Sequence, residues 1–203
     1  LEKFDTWQME QKQSEPLIAD NSINLIVSNC VLNLVDDTQK LQLINEIFRV
    51  LKPGGRVAIS DIISDEFVPD EMKADPELWS GCISGVFQEK EFIQKFLDAG
   101  FYSVEYDKWD NIPWKTINNI EFRSVTLTAI KAEPATALDE GHTVIYKGPF
   151  ASVTDDKGYV FDRGDRIAVS NIHFNALRSS ALAADFVFID SQKKACCASA
   201  WSD

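Results

Sequence analysis

Two cysteines stand in contexts where a thiol could do chemistry: Cys30 in SNCVLNL (residues 28–34) and Cys82 in DPELWSGCISG (residues 75–85). A thiolate is nucleophilic and polarizable, and it prefers soft, thiophilic centres to hard oxygen-loving cations. If the fold brings the two together, they form a two-sulfur site for a soft metal or metalloid. Cys196 and Cys197 are adjacent and can also present two sulfurs to one soft centre. Because Gln192-Lys193-Lys194 and Ala198-Ser199-Ala200 carry no periodicity, residues 191–203 read equally as an unstructured tail. A closed zinc site needs four ligands, often in C-x2-4-C or H-x3-5-H pairs, and neither spacing occurs with a second pair to complete it. His142 and His173 are isolated in the sequence and read as surface or strand-capping residues.

These thiols need a scaffold, and the bulk properties limit what it is. The chain has 203 residues, enough for one domain plus an appendage or for two small domains. Lys+Arg 20 against Asp+Glu 32 gives a net charge of −12, which disfavours a grip on nucleic-acid phosphates or anionic membranes. LEKFDTWQMEQKQSEP contains no apolar h-region, and no apolar run approaches membrane-spanning length. The cytoplasm is therefore the expected compartment. Four cysteines are too sparse for a disulfide scaffold, and a reducing compartment would keep them as thiols.

The order of elements predicts an α/β fold. Residues 20–29 move from the turn formers Asp20-Asn21-Ser22 into Ile23, Leu25, Ile26 and Val27, the pattern of a parallel strand buried on both faces. Asp36, Asp37 or Thr38 can cap a helix whose apolar positions Leu41, Ile44, Ile47, Phe48 and Leu51 follow helical spacing. Lys52-Pro53-Gly54-Gly55 stops it, and residues 56–63 read as the next strand, completing a βαβ order. A helix over 89–99 and strands over 101–107 and 121–131 follow, giving four strands and an antiparallel edge. Residues 132–141 read as a linker. Residues 142–190 read as a small β-rich appendage with turns at 155–158 and Arg163-Gly164-Asp165, and with a helix near 171–182.

LKPGG (51–55) before an apolar strand is similar to the turn before the fifth strand of class I methyltransferases. SNCVLNL, the following helix, LKPGG and DPELWSGCISG together resemble the arsenite methyltransferase family, over roughly residues 15–131. EFRSVTLTAIK (121–131) resembles the strand that closes the family's catalytic domain, and the appendage resembles extensions on some bacterial members. The resemblance implies the second half of a doubly wound, mostly parallel Rossmann-like sheet. It also implies a reaction in which S-adenosylmethionine methylates trivalent arsenic. The family's arsenic-binding thiols fall on Cys30 and Cys82, and vicinal cysteines like Cys196-Cys197 occur in some members. Cys30 would then stand just past the carboxyl end of a parallel strand, where ligands bind in open α/β sheets.

Ser28 and Asn29 flank Cys30 at the strand end that the family's fold brings near the cofactor. Asn29 reads equally as a cap for its own strand end. Trp79 would exclude water, and Gly81 and Gly85 would let backbone approach closely. The resemblance further implies an arsenite–thiol adduct as substrate and a thiol reductant as partner. No glycine-rich strand-turn with a following strand-end acid is found before residue 20. The expectation is therefore an inactive carboxyl-terminal fragment holding the acceptor half of a site, with exposed sheet edges open to a homo-oligomer. Two other readings stand beside it: a methyltransferase for a small organic acceptor, and a non-enzymatic thiol module that binds metalloids.

Overall fold

The computed structural model describes residues 16–132 and 141–191 and divides the chain at Ala132 into two units, Leu1–Ala132 and Glu133–Asp203. In the first unit, strand β1 (Ile23–Asn29) runs into a short 3-10 turn (Leu32–Leu34) and then helix α1 (Asp37–Val50). The helix starts where the Asp36 carboxylate accepts the Thr38 N–H at 2.9 Å, a cap worth about 1 kcal/mol. Ile44, Ile47 and Val50 repeat at i, i+3, i+6 and bury one face against the sheet.

Strand β2 (Leu51–Ser64) begins at once and pairs in parallel with β1. LKPGG is absorbed as an irregularity in this ladder: the register jumps from Ile23↔Leu51 to Leu25↔Arg56. Gly54 takes φ +74°, and a side chain on Gly55 would crowd the Lys52 carbonyl oxygen at 2.8 Å, so the bulge needs glycine at both positions.

Short helices α2 (Asp70–Lys73) and α3 (Pro76–Ser80) lead to β3 (Phe87–Gln88) and helix α4 (Glu89–Asp98). Strands β4 (Phe101–Trp109), β5 (Lys115–Ile117) and β6 (Ile120–Lys131) follow. The sheet order is β1-β2-β6-β4, with β3 paired to β2 and β5 to β6. Helices α1 and α4 and the sheet enclose a core that includes Ile44, Leu51, Val57, Ile59, Phe96 and Leu127. Each such side chain contributes about 1.5–3 kcal/mol on burial.

One sequence expectation about the sheet is met here and one is corrected. The expected antiparallel edge is β4, which pairs antiparallel with β6; β6 itself lies one position in, between β2 and β4, and pairs antiparallel with both. Its residues Phe122, Val125, Leu127 and Ala129 are buried, which an edge position would not require. Strand β1, expected to be covered on both faces, exposes Leu25 (57%) and Val27 (68%). Ile23 and Ile26 pack against the core that helix α1 covers, whereas Leu25 and Val27 stay exposed among the described residues.

In the second unit, β7 (His142–Tyr146), β8 (Ser152–Thr154), β9 (Val160–Asp162) and β10 (Arg166–Val169) precede helix α5 (Asn171–Ser179) and β11 (Phe186–Ile189). They form a three-stranded sheet, β10-β7-β11, and the hairpin β8-β9 around Val144, Tyr146, Phe161, Phe174 and Phe186. Helix α5 stops at Ser179, short of the expected 182. His173 is not at the surface: it lies within α5, 2% exposed, with Nε2 2.6 Å from Asp155 Oδ2. His142 does close a strand end, accepting the Ser191 N–H at Nδ1.

Candidate functional site

The register of β2 explains why two distant segments meet. Strand β1 leaves the edge of β2 at Asn29↔Ser60, and the Cys30 N–H adds one more bond to the Ser60 carbonyl at 2.9 Å. Strand β3 takes over at Ile63↔Phe87. Because β6 fills the other side of β2 through Ser64, both partners must share one edge. Only Asp61 and Ile62 separate them, so the loop after β1 and the loop before β3 face one another at the carboxyl end of the sheet.

Asp61 organises that gap. It is 2% exposed, and its Oδ2 accepts the N–H groups of Leu32 (3.0 Å) and Asn33 (3.3 Å) while Oδ1 accepts that of Ile62 (2.9 Å). Burial pushes its carboxyl above the ordinary range, and the backbone donors oppose that shift. Asn33, 1% exposed, donates its amide to the Ile62 carbonyl at 2.7 Å and, more weakly, to the Cys82 carbonyl at 3.5 Å. A Cβ on Gly85 would overlap the Asn33 carbonyl oxygen. The close approach expected of Gly85 is therefore met, whereas Gly81 has φ −84° and room for a methyl group.

Cys82 follows α3, whose start is capped by Asp75 accepting from Glu77 N at 2.8 Å. Beneath it Val68, Met72, Ile83, Val86, Ile120 and Phe122 form a separate apolar cluster that seats the whole segment on the β5–β6 hairpin. Trp79 remains 37% exposed beside it.

Cys30 is exposed and Cys82 half-buried, and both are free thiols. Both take left-handed backbone, φ +54° and +59°. That conformation costs a residue with a Cβ about 1–2 kcal/mol, and such strain concentrates at functional positions. Burial pushes the Cys82 thiol up, with the charges of Asp61 and then Cys30 adding to the shift.

Ser28 is half-buried opposite Ile59, and Asn29 is exposed with its Oδ1 accepting the Cys30 Sγ–H at 3.3 Å. Cys196 and Cys197 lie outside the described residues. Among the described residues no cluster of three or more His, Cys, Asp or Glu side chains could hold a metal ion. Nor is any helix among them long and apolar enough to cross a membrane.

A family model described as a methyltransferase domain matches residues 2–100, and one described as a domain of unknown function matches 133–202. The chain is 29% identical to the arsenite methyltransferase of Mus musculus, covering 88% of this chain and 49% of that one. It is 40% identical to that of Halobacterium salinarum, over 43% of this chain and 22% of the relative. The chain is thus similar to arsenite methyltransferases from a mammal and an archaeon and carries a match to a methyltransferase domain. It spans about half the length of the curated relatives it matches. Among solved structures, an arsenic(III) S-adenosylmethionine methyltransferase from Chlamydomonas reinhardtii superposes with a TM-score of 0.52 at 24% identity. That match covers 87% of this chain and 62% of the other, and it shows the shared fold.

Sequence reasoning singled out both cysteines but not Asn33, Asp61 and Lys40, which hold the loops around them. The available signal was a carboxylate inside the apolar strand RVAISDII and an amide inside VLNL, polar groups that burial forces to find partners.

Proposed function

We propose that this chain supplies the acceptor half of an enzyme that methylates trivalent arsenic, with Cys30 and Cys82 holding the metalloid. The observation that carries the reading is the pair itself: two free cysteines, both in strained left-handed backbone, lie on the two loops that meet where the edge of β2 passes from β1 to β3. Relatives named arsenite methyltransferases support the choice of substrate.

The binding chemistry follows from the thiols. Each exchange forms one As–S bond and breaks one As–O bond, and the thiol proton leaves with the departing hydroxide as water. Two exchanges give a neutral dithiolate adduct and two waters. A raised Cys82 pKa keeps that sulfur protonated beside Asp61, so no buried thiolate has to persist before the substrate arrives. Cys30, exposed at the strand end, meets the substrate first, and Cys82 closes the chelate. Such fixation aligns the arsenic lone pair, and a held near-attack geometry can remove several kcal/mol from a barrier.

S-adenosylmethionine would supply the electrophilic methyl group in the whole protein. The described residues fit it only in part: Ser28 and Asn29 stand at the rim, but Asn29 already accepts from Cys30, and no glycine-rich turn follows a described strand. Arsenite binding is accordingly the step that the described residues of this chain support. Cytoplasmic thiol reductants would regenerate the free thiols, and the exposed Leu25 and Val27 on β1 suit self-association.

The test replaces Cys196 and Cys197 with serine and asks whether arsenite protects Cys30 and Cys82 from alkylation. Protection of both, lost from each when the other is Ser, is expected. Alkylation of both at an unchanged rate in saturating arsenite would overturn the reading.

A further inference from the structure

The cysteines touch different loops, and something must set the distance between them. Cys30 is held to β2 through its N–H to Ser60, whereas Cys82 follows helix α3 in a segment seated on its own apolar cluster. Among the described residues, Asn33 makes contacts to both loops and to the strand between them. Its N–H reaches Asp61, its amide reaches the carbonyls of Ile62 and Cys82, and its own carbonyl lies against Gly85.

We infer that Asn33 is a positioning residue that fixes the Cys30–Cys82 separation needed for chelation. The inference rests on the arsenic-holding role proposed for the two thiols. Asn33 sits three residues after Cys30 on a 3-10 turn whose N–H groups are pinned by the Asp61 carboxylate. A change in its side chain therefore leaves the Cys30 loop anchored by Asp61 and removes the amide link to the Cys82 carbonyl, while the apolar cluster and the Lys40–Gly85 bond keep the rest of that segment in place. An amide is required because both acceptors are carbonyls: a carboxylate of the same shape would oppose lone pair to lone pair, beside Asp61. Asn33 does not touch the substrate, so single-thiol chemistry does not depend on it.

Those properties separate a positioning role from a merely structural one. In the full chain with Cys196→Ser and Cys197→Ser, the affinity for phenylarsine oxide, which takes two thiolates at one arsenic, is measured together with iodoacetamide rates at each cysteine. Asn33→Asp and Asn33→Ala are expected to weaken phenylarsine oxide by about tenfold or more while the Cys30 alkylation rate stays within about twofold. Asn33→Ser, which keeps a short donor, is expected to fall between them and the parent, and it serves if either larger change prevents folding. Cys30→Ser and Cys82→Ser are run alongside. If both bind phenylarsine oxide as tightly as the parent, the chelating pair itself is wrong. If both lose it while the folded Asn33 variants keep the parent affinity, the pair stands and the positioning role is overturned.

Discussion

Lys40, in the first turns of helix α1, donates its ammonium to the Gly85 carbonyl oxygen at 2.5 Å, joining the helix after β1 to the loop that carries Cys82. Its side chain is 2% exposed, and it also pairs with Asp37 Oδ1 at 2.5 Å and lies 4.8 Å from the centre of the Phe87 ring. A buried ammonium is tolerated only with such partners.

Lys40→Met should therefore destabilise the fold by about 1–3 kcal/mol, because it strands the Gly85 carbonyl. A chemical denaturation midpoint measures this. Acid dependence supplies a second readout. Burial alone would raise the Asp37 carboxyl, but Lys40 and Lys73 more than offset it and hold it below the ordinary range. That contribution is present above the usual carboxylate pKa and is lost as pH falls through the lowered one. The variant should show a shallower acid slope.

Gly85 and Gly81 make a matched pair for a packing test. An alanine methyl at Gly85 meets the Asn33 carbonyl oxygen, backbone that cannot swing away, whereas at Gly81 the nearest atom would be 3.4 Å off. Gly85→Ala is expected to cost about 1–3 kcal/mol, as overpacked sites do. Gly81→Ala should stay within about 0.5 kcal/mol. Thermal melts of the two variants decide this, and equal melting temperatures would contradict the close-approach account.

How much was legible in the sequence depended on where the signal resided. Helix α1 and helix α4 were readable because their apolar spacing and caps are local: Asp36 caps the first and Gln88 the second. The strands were readable from short β-branched runs. Strand order was not, since the interior place of β6 depends on pairings between Arg56 and Ile130 or Ser64 and Phe122 that no local pattern encodes. For the site, the reactive types Cys30 and Cys82 stood out, as did Gly85. Their supports did not, because Asn33 and Asp61 act through contacts spanning 28 and 29 residues, and Lys40 through one spanning 45. The burial of His173 was misread for the same reason: its partner Asp155 lies on a turn before another strand.

The ionisation of Cys82 offers a direct check on the geometry. Burial, then Asp61, then Cys30 raise its thiol pKa above the ordinary value. Its thiolate should therefore form at higher pH than that of a free cysteine, and alkylation at neutral pH should be slow. Removing either negative neighbour should bring the profile down. Cys30→Ser is the cleaner variant, because Asp61→Asn also places an amide against backbone N–H donors and should cost about 1–3 kcal/mol in stability. Mass-spectrometric alkylation rates of Cys82 across pH provide the measurement. An identical profile in Cys30→Ser would mean that the two sulfurs do not sense one another.

In the second unit, the buried contact between Asp155 and His173 predicts acid lability confined to that unit. Burial would raise the Asp155 carboxyl, yet His173 at 2.6 Å and the N–H groups of Tyr159 and Lys157, both at 2.9 Å, hold it below the ordinary carboxylate range. A lowered folded-state pKa means that the unfolded chain takes up the proton first. The stabilisation is complete above the ordinary carboxylate pKa and is lost as pH falls through the lowered value. Hydrogen exchange at Phe161 and Phe174, core residues of this unit, should therefore accelerate on acidification in the parent protein. Asp155→Asn should raise exchange there already at neutral pH, and acid should then add little. If acid sensitivity at Phe161 persists in Asp155→Asn, another carboxylate carries it.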